Sequence, residues 1–213
     1  MKIRCVTALV IAAAGPLAGQ APVPWTLSGS PSLFVARQQI ATSDQLSGAL
    51  LGAELAGEWR GAVMLALRGY VGTVRSASAV VARHVRLTDA ALAVRPRSWL
   101  ALGVEAEALR SEEPGDTAVW RMAGPLVQVS TGLGLTGLTA QMDVAYFPLL
   151  GVAGLDSLAL AARLQVGMAY TPPRLPVTVQ IAYRRETFSF TDTRAPEALG
   201  GLVLSARAHL LPR

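Results

Sequence analysis

From Leu158 to Tyr170 the chain places apolar residues on every second position: Leu158, Leu160, Ala162, Leu164, Val166, Met168 and Tyr170. Between them stand Ala159, Ala161, Arg163, Gln165, Gly167 and Ala169. A period of two is that of a strand with one apolar face and one small or polar face. At about 3.3 Å per residue the run is long enough to cross a bilayer, and it exceeds a common globular strand. The pattern recurs in ten segments, near residues 32–41, 46–59, 62–74, 84–95, 98–110, 118–130, 134–147, 156–171, 175–188 and 198–210. Clear outward sets are Val63/Leu65/Leu67, Leu100/Leu102/Val104, Met142/Val144/Tyr146, Val179/Ile181/Tyr183 and Leu202/Leu204/Ala206. The first and fourth segments alternate least clearly, and eight strands remain if those two fail.

The connections sharpen the picture. Arg60-Gly61, Pro96-Arg97-Ser98, Thr131-Gly132-Leu133-Gly134 and Thr171-Pro172-Pro173-Arg174 have the composition of tight turns. The intervals 42–45, 75–83, 111–117, 148–155 and 189–197 read as longer loops. Short turns at one end, longer loops at the other and an even strand number are properties of transmembrane barrels. Trp59, Trp99 and Tyr170 fall beside the turns, while Trp120, Tyr146, Phe147, Phe188 and Phe190 fall at the opposite strand ends. This placement predicts two interfacial girdles around an Ala/Leu/Val band. The expected fold is all-β: an up-and-down antiparallel transmembrane β-barrel of ten strands, with eight as the alternative.

Composition changes this picture at the N-terminus. Lys2 and Arg4, the apolar run Val6 to Ala14 and the break at Gly15-Pro16 read as a secretory signal over residues 1–20. Residues 21–31 are then a periplasmic segment and 32–213 the barrel. Cys5 leaves with the signal, so the mature chain offers no disulfide and no cysteine metal site. A net charge of +5 is spread over strands and turns, which speaks against a nucleic-acid partner.

The opposite parity defines the lumen. It collects Glu54, Glu58, Arg68, Tyr70, Asp89, Arg95, Glu105, Glu107, Asp143, Arg163, Arg184, Glu186 and Arg207, together with Gln128, Gln141, Gln165, Gln180 and His209. Charges taken out of water must be paired, which predicts an internal salt-bridge network. The competing expectation is a narrow channel whose Arg and Glu residues set a preference among ions or small solutes.

Catalytic, metal and cofactor constellations are not found. Ser205 and His209 share the inward parity of the last strand, so the Ser/His pair of a lipid-modifying enzyme can be drawn, but no third carboxylate can be assigned. Glu105 and Glu107 sit two apart on one face, a spacing that suits a cation or, more simply, lumenal arginines. Gly132 to Gly137 lacks the helix that a phosphate loop requires. Turned inside out, the same alternation describes a soluble periplasmic barrel or sandwich carrying an apolar ligand.

Alternation, turn order and export signal together resemble the small bacterial outer-membrane β-barrels over residues 32–210, with no family-specific motif. The resemblance implies an outer-membrane location, contact with outer-membrane lipid and insertion by the barrel-assembly machinery. It also implies a structural or narrow-pore role without a cofactor. One departure stands out: such barrels commonly end on an aromatic residue, whereas this chain ends His209-Leu210-Leu211-Pro212-Arg213. Its mean hydropathy of +0.40 favours a small, plugged barrel over a water-filled one.

Overall fold

The computed structural model describes residues 25–40, 44–78, 81–113, 115–153, 158–190 and 195–209, so the expected signal at 1–20 lies outside the described residues. The strand segments are β1 (Trp25–Ile40), β2 (Asp44–Trp59), β3 (Val63–Ser76), β4 (Ala82–Arg97), β5 (Leu100–Glu113), β6 (Asp116–Gly132), β7 (Leu138–Phe147), β8 (Leu149–Ala153), β9 (Leu158–Tyr170), β10 (Val177–Phe190) and β11 (Glu197–His209). Each pairs antiparallel with its sequence neighbour, except that β7 and β8 both pair with β6 and together form one wall strand. Pairing of β1 with β11 and of β5 with β6 closes a ten-stranded up-and-down barrel. Every described strand except the short β8 is paired on both sides, so the strand backbones satisfy one another around the wall, which is what a lipid environment demands.

The break between β7 and β8 has a local cause. Leu126 pairs with Ala145 and Ala123 with Leu149, so three residues ending in Pro148 oppose the two residues Gly124 and Pro125. Proline cannot donate to the ladder and is confined to such bulges. A Cβ on Gly124 would meet the Pro148 ring at 2.7 Å, so glycine is needed opposite it. The interval 148–155, expected as a loop, is therefore largely strand.

Two other expectations need correction. β1 begins at Trp25, inside the stretch 21–31 expected to precede the barrel. Pro31 concealed this, and its missing N–H is tolerated because the β1–β11 ladder skips Ser30 and Pro31. The expected contrast in connection length also fails. Strands run far enough that the intervals 41–43, 77–81 and 154–157 are no longer than the turns 133–137 and 171–176. One turn is as expected: Arg60 (φ 50°) and Gly61 (φ 68°) are the central pair of a tight turn in the three-residue connection 60–62, closed by a 3.0 Å bond from Ala62 N to Trp59 O.

The apolar parity faces outward. Leu51 is 67% exposed, Val104 58% and Val179 54%, and comparable side chains cover the rest of the wall. The Arg/Glu parity faces inward, the reverse of what a soluble carrier of an apolar ligand requires. Leu158, expected to face outward, is buried because a bulge beside Phe190 shifts the phase of β9 at that end.

Candidate functional site

The lumen has three layers, stacked from the end bearing the loops to the end bearing both termini. The loop-end layer is apolar. Leu46, Leu50, Leu87, Leu109, Phe147 and Leu199 fill it at 2% exposure or less. Trp120 lies 5.0 Å from Phe188 and 5.9 Å from Phe190, ring centre to ring centre. Trp120, Phe147, Phe188 and Phe190 were expected in a lipid-facing girdle, but their parity turns them inward, where they plug the barrel. Tyr146 alone of that expected girdle is exposed. Above the plug, Arg83 binds Glu113 and reaches Glu197 at 3.5 Å, and Gln38 donates to Glu197 at 3.3 Å.

The middle layer is ionic and dry. Arg68 Nε donates to Asp89 at 2.6 Å, and its Nη2 lies 3.7 Å from Glu105, which also binds Arg163. Arg184 contacts three carboxylates: Asp89 at 3.2 Å, Glu107 at 3.1 Å and Glu186 at 2.5 Å. Arg163 and Arg184 are fully buried. Phe34 and Tyr70 meet edge to face at 5.8 Å, and the Arg184 guanidinium lies 5.7 Å from the Tyr70 ring centre. Gly52 makes room for that ring, since a Cβ there would meet Tyr70 Cδ1 at 2.4 Å. Asp89, Glu105 and Glu107 place carboxylate oxygens within 4.8 Å of one another, but three guanidinium groups interleave with them and oppose a metal cation.

The third layer is a cup of about 920 Å³ at the end that carries the termini. Two ion pairs line one side: Arg207 with Glu54 at 2.6 Å and Arg95 with Glu58 at 2.5 Å. The other side is built of amides. Gln180 donates to Gln141 at 3.2 Å. Gln128, Asp143 and Gln165 stand in one cross-strand row on β6, β7 and β9, and none has a hydrogen-bond partner among the described residues. Every residue expected in the lumen network faces this interior. The structure separates them into a sealed ionic layer and a cup. Below the plug the strands contribute the carboxylates of Glu54, Glu58, Asp89, Glu105, Glu107, Asp143 and Glu186 against the guanidiniums of Arg68, Arg95, Arg163, Arg184 and Arg207.

Ser205 and His209 do not form a pair. Four residues along a strand separate them by about 13 Å, and His209 Nε2 instead lies 3.3 Å from Thr178 Oγ1.

Two groups of outward residues distinguish the ends of the barrel. At the turn end, Trp59, Trp99 and Tyr170 lie on the outer face as expected, joined by Trp25, whose ring centre is 6.5 Å from that of Trp59. At the loop end stand six exposed arginines: Arg37, Arg75, Arg86, Arg110, Arg121 and Arg185. Arg185, Gly200, Arg37, Ser47 and Arg75 form one row across five strands, and Arg86 directly opposes Arg110. Of the six, Arg110 binds Glu112 at 2.5 Å, and the rest have no acidic partner among the described residues. The basic residues thus gather where the sequence showed only dispersion. Outward parity near the loop ends of the strands was the signal that could have found them.

No protein-family model matches the chain, and no curated protein sequence matches it. Solved structures do. The outer membrane protease OmpT of Escherichia coli superposes with a TM-score of 0.58 at 8% identity, over 90% of this chain and 99% of that one. Neisserial surface protein A (TM-score 0.39, 9% identity) covers 89% of this chain and 99% of its own. LpxR from Salmonella typhimurium (0.33, 12%) covers 84% and 99%. At these identities the likeness to OmpT speaks for architecture and leaves activity open. The chain has the fold of the small bacterial outer-membrane β-barrels.

Proposed function

We propose that the protein is an integral outer-membrane barrel with a structural role, closed to the passage of solutes. The carrying observation is the filled lumen, in which an ionic layer with fully buried Arg163 and Arg184 lies under an aromatic and aliphatic plug. A conducting pore needs a continuous polar path, and the loop-end half of this interior is lined by leucine and aromatic rings. Membrane residence is supported by the apolar wall. Its strands of 13 to 17 residues, β7 and β8 apart, span about 33 to 43 Å at a tilt of about 40°. The tryptophans suit one interface. The exposed arginines suit the other, where phosphate-bearing headgroups supply anions at about 1 kcal/mol per residue. Termini and turns then face the periplasm, where the barrel-assembly machinery acts during insertion.

The test is conductance of the folded barrel in planar bilayers. No step currents are expected. Discrete, reproducible openings would rule out the closed barrel and restore the narrow pore.

A further inference from the structure

The cup holds a carboxylate that no ion pair or hydrogen bond among the described residues closes. Of the cup's strand-borne charges, Glu54 and Glu58 are each closed by an arginine, and Arg68 is turned to Asp89 and Glu105. Asp143 has no ion pair and no hydrogen bond among the described residues, yet it lines the cavity. Its direct cross-strand neighbours are Gln128 and Gln165, whose amides are equally unbonded and also line the cavity. Cross-strand neighbours on one face lie about 5 Å apart, so the three heads form a continuous acceptor–donor row roughly 10 Å wide. Arg60, Arg68, Arg95 and Arg207 also line the cup, but each is engaged, over Trp59, with Asp89 and Glu105, with Glu58 and with Glu54 respectively, so the local charge left for a ligand is that of Asp143.

We propose that this row is a binding site for a small organic cation from the side of the termini. Its ammonium group sits on Asp143, and its hydroxyl or amide groups are taken by Gln128 and Gln165. An ammonium offers three donors and fits a carboxylate flanked by carbonyl oxygens. The amides can donate as well as accept, which suits a polyfunctional molecule such as an amino alcohol or an amino sugar. A bare metal ion would leave their N–H groups idle. A cavity of about 920 Å³ is within the range of small-molecule sites. The sealed layer behind it makes this a dead-end site, so the ligand leaves by the way it entered.

The test is calorimetric titration of the folded full-length barrel at low ionic strength with ethanolamine and glucosamine, and with ethylene glycol and glucose as their uncharged counterparts. Saturable binding of the amines, with none of the neutral pair, is expected. Asp143→Asn should weaken it at least tenfold while the boiled and unboiled gel mobilities stay as in the unsubstituted protein. Gln128→Ala, which keeps the charge, should weaken glucosamine more than ethanolamine. Absence of saturable amine binding overturns the proposal, as does binding that Asp143→Asn leaves unchanged. Equal competition by potassium chloride and magnesium chloride at matched ionic strength would reduce the site to a counter-ion position and overturn it too. Should Asp143→Asn fail to fold, Gln128→Ala and Gln165→Ala decide, and unchanged glucosamine affinity in both overturns the proposal.

Discussion

The two ends of the lumen are built from the same strands by the same alternation, yet one is dry and the other wet. At the loop end the inward positions carry Leu46, Leu50, Leu109, Trp120, Phe147 and Phe188, and the space is filled. At the end of the termini the inward positions carry Glu54, Glu58, Gln128, Gln141 and Asp143, and a cup remains. Barrel width is set by strand number and stagger, which are shared along the whole height. Side-chain choice alone therefore decides where water goes. Between the two lies the ionic layer, and its energetics follow from having the plug on one side. Charges that water cannot reach must be satisfied by one another.

The comparison breaks most sharply at Arg184. Its guanidinium is shared by Asp89, Glu107 and Glu186, so Arg184→Ala leaves three buried carboxylates without that partner. Removing one partner of a buried pair costs about 3–5 kcal/mol, and this substitution should reach the upper end. Urea unfolding of the barrel refolded into lipid vesicles measures it, with the midpoint falling far below that of the unsubstituted protein. A small shift would mean that water enters the middle layer and that the layer is part of the cup.

Next in size is the plug. Trp120→Ala removes the ring that packs on Phe188 and Phe190. A buried aromatic cut to alanine costs about 3–5 kcal/mol, less where neighbours collapse into the space. In the same vesicle assay the loss should be somewhat smaller than for Arg184→Ala, because the site left behind is apolar and can relax. The same variant tests closure. If the plug alone stops conduction, step currents appear in Trp120→Ala. If the ionic layer also seals, they do not.

What could be read from the chain, and what could not, divides along similar lines. Alternation gave barrel class, strand number and the inward parity of every charged lumen residue, because a period of two depends on nothing but local geometry. The layering was not legible. Alternation tells inside from outside but not height, so Trp120 and Phe188 looked like girdle residues when their parity already turned them inward. Height comes from register, and register depends on distant pairings such as Gln128 with Asp143 and Asp143 with Gln165. Prolines stand at both places where strand was missed: Pro31 lies in the first part of β1, and Pro148 in the bulge that made 148–155 look like a loop. The arginine row stayed hidden because Arg185, Arg37 and Arg75 are neighbours only across β11 and β2, through Gly200 and Ser47.

The smallest expected effect lies in the cup and is the most discriminating. Glu54 and Arg207 form a 2.6 Å ion pair as short as that of Arg68 with Asp89 in the middle layer, but their side chains are 16% and 32% exposed. A pair that water reaches is worth about 0.2–1 kcal/mol, since solvent screens the attraction and rehydrates whichever partner remains. Glu54→Gln keeps the shape and a hydrogen-bonding oxygen for Arg207 while removing the charge. Its unfolding midpoint should therefore stay close to that of the unsubstituted protein and move less in high salt than in low. Distance does not separate this pair from Arg68 and Asp89, which are also 2.6 Å apart. Hydration does, and a Glu54→Gln loss approaching that of Arg184→Ala would show that the cup is as dry as the layer behind it.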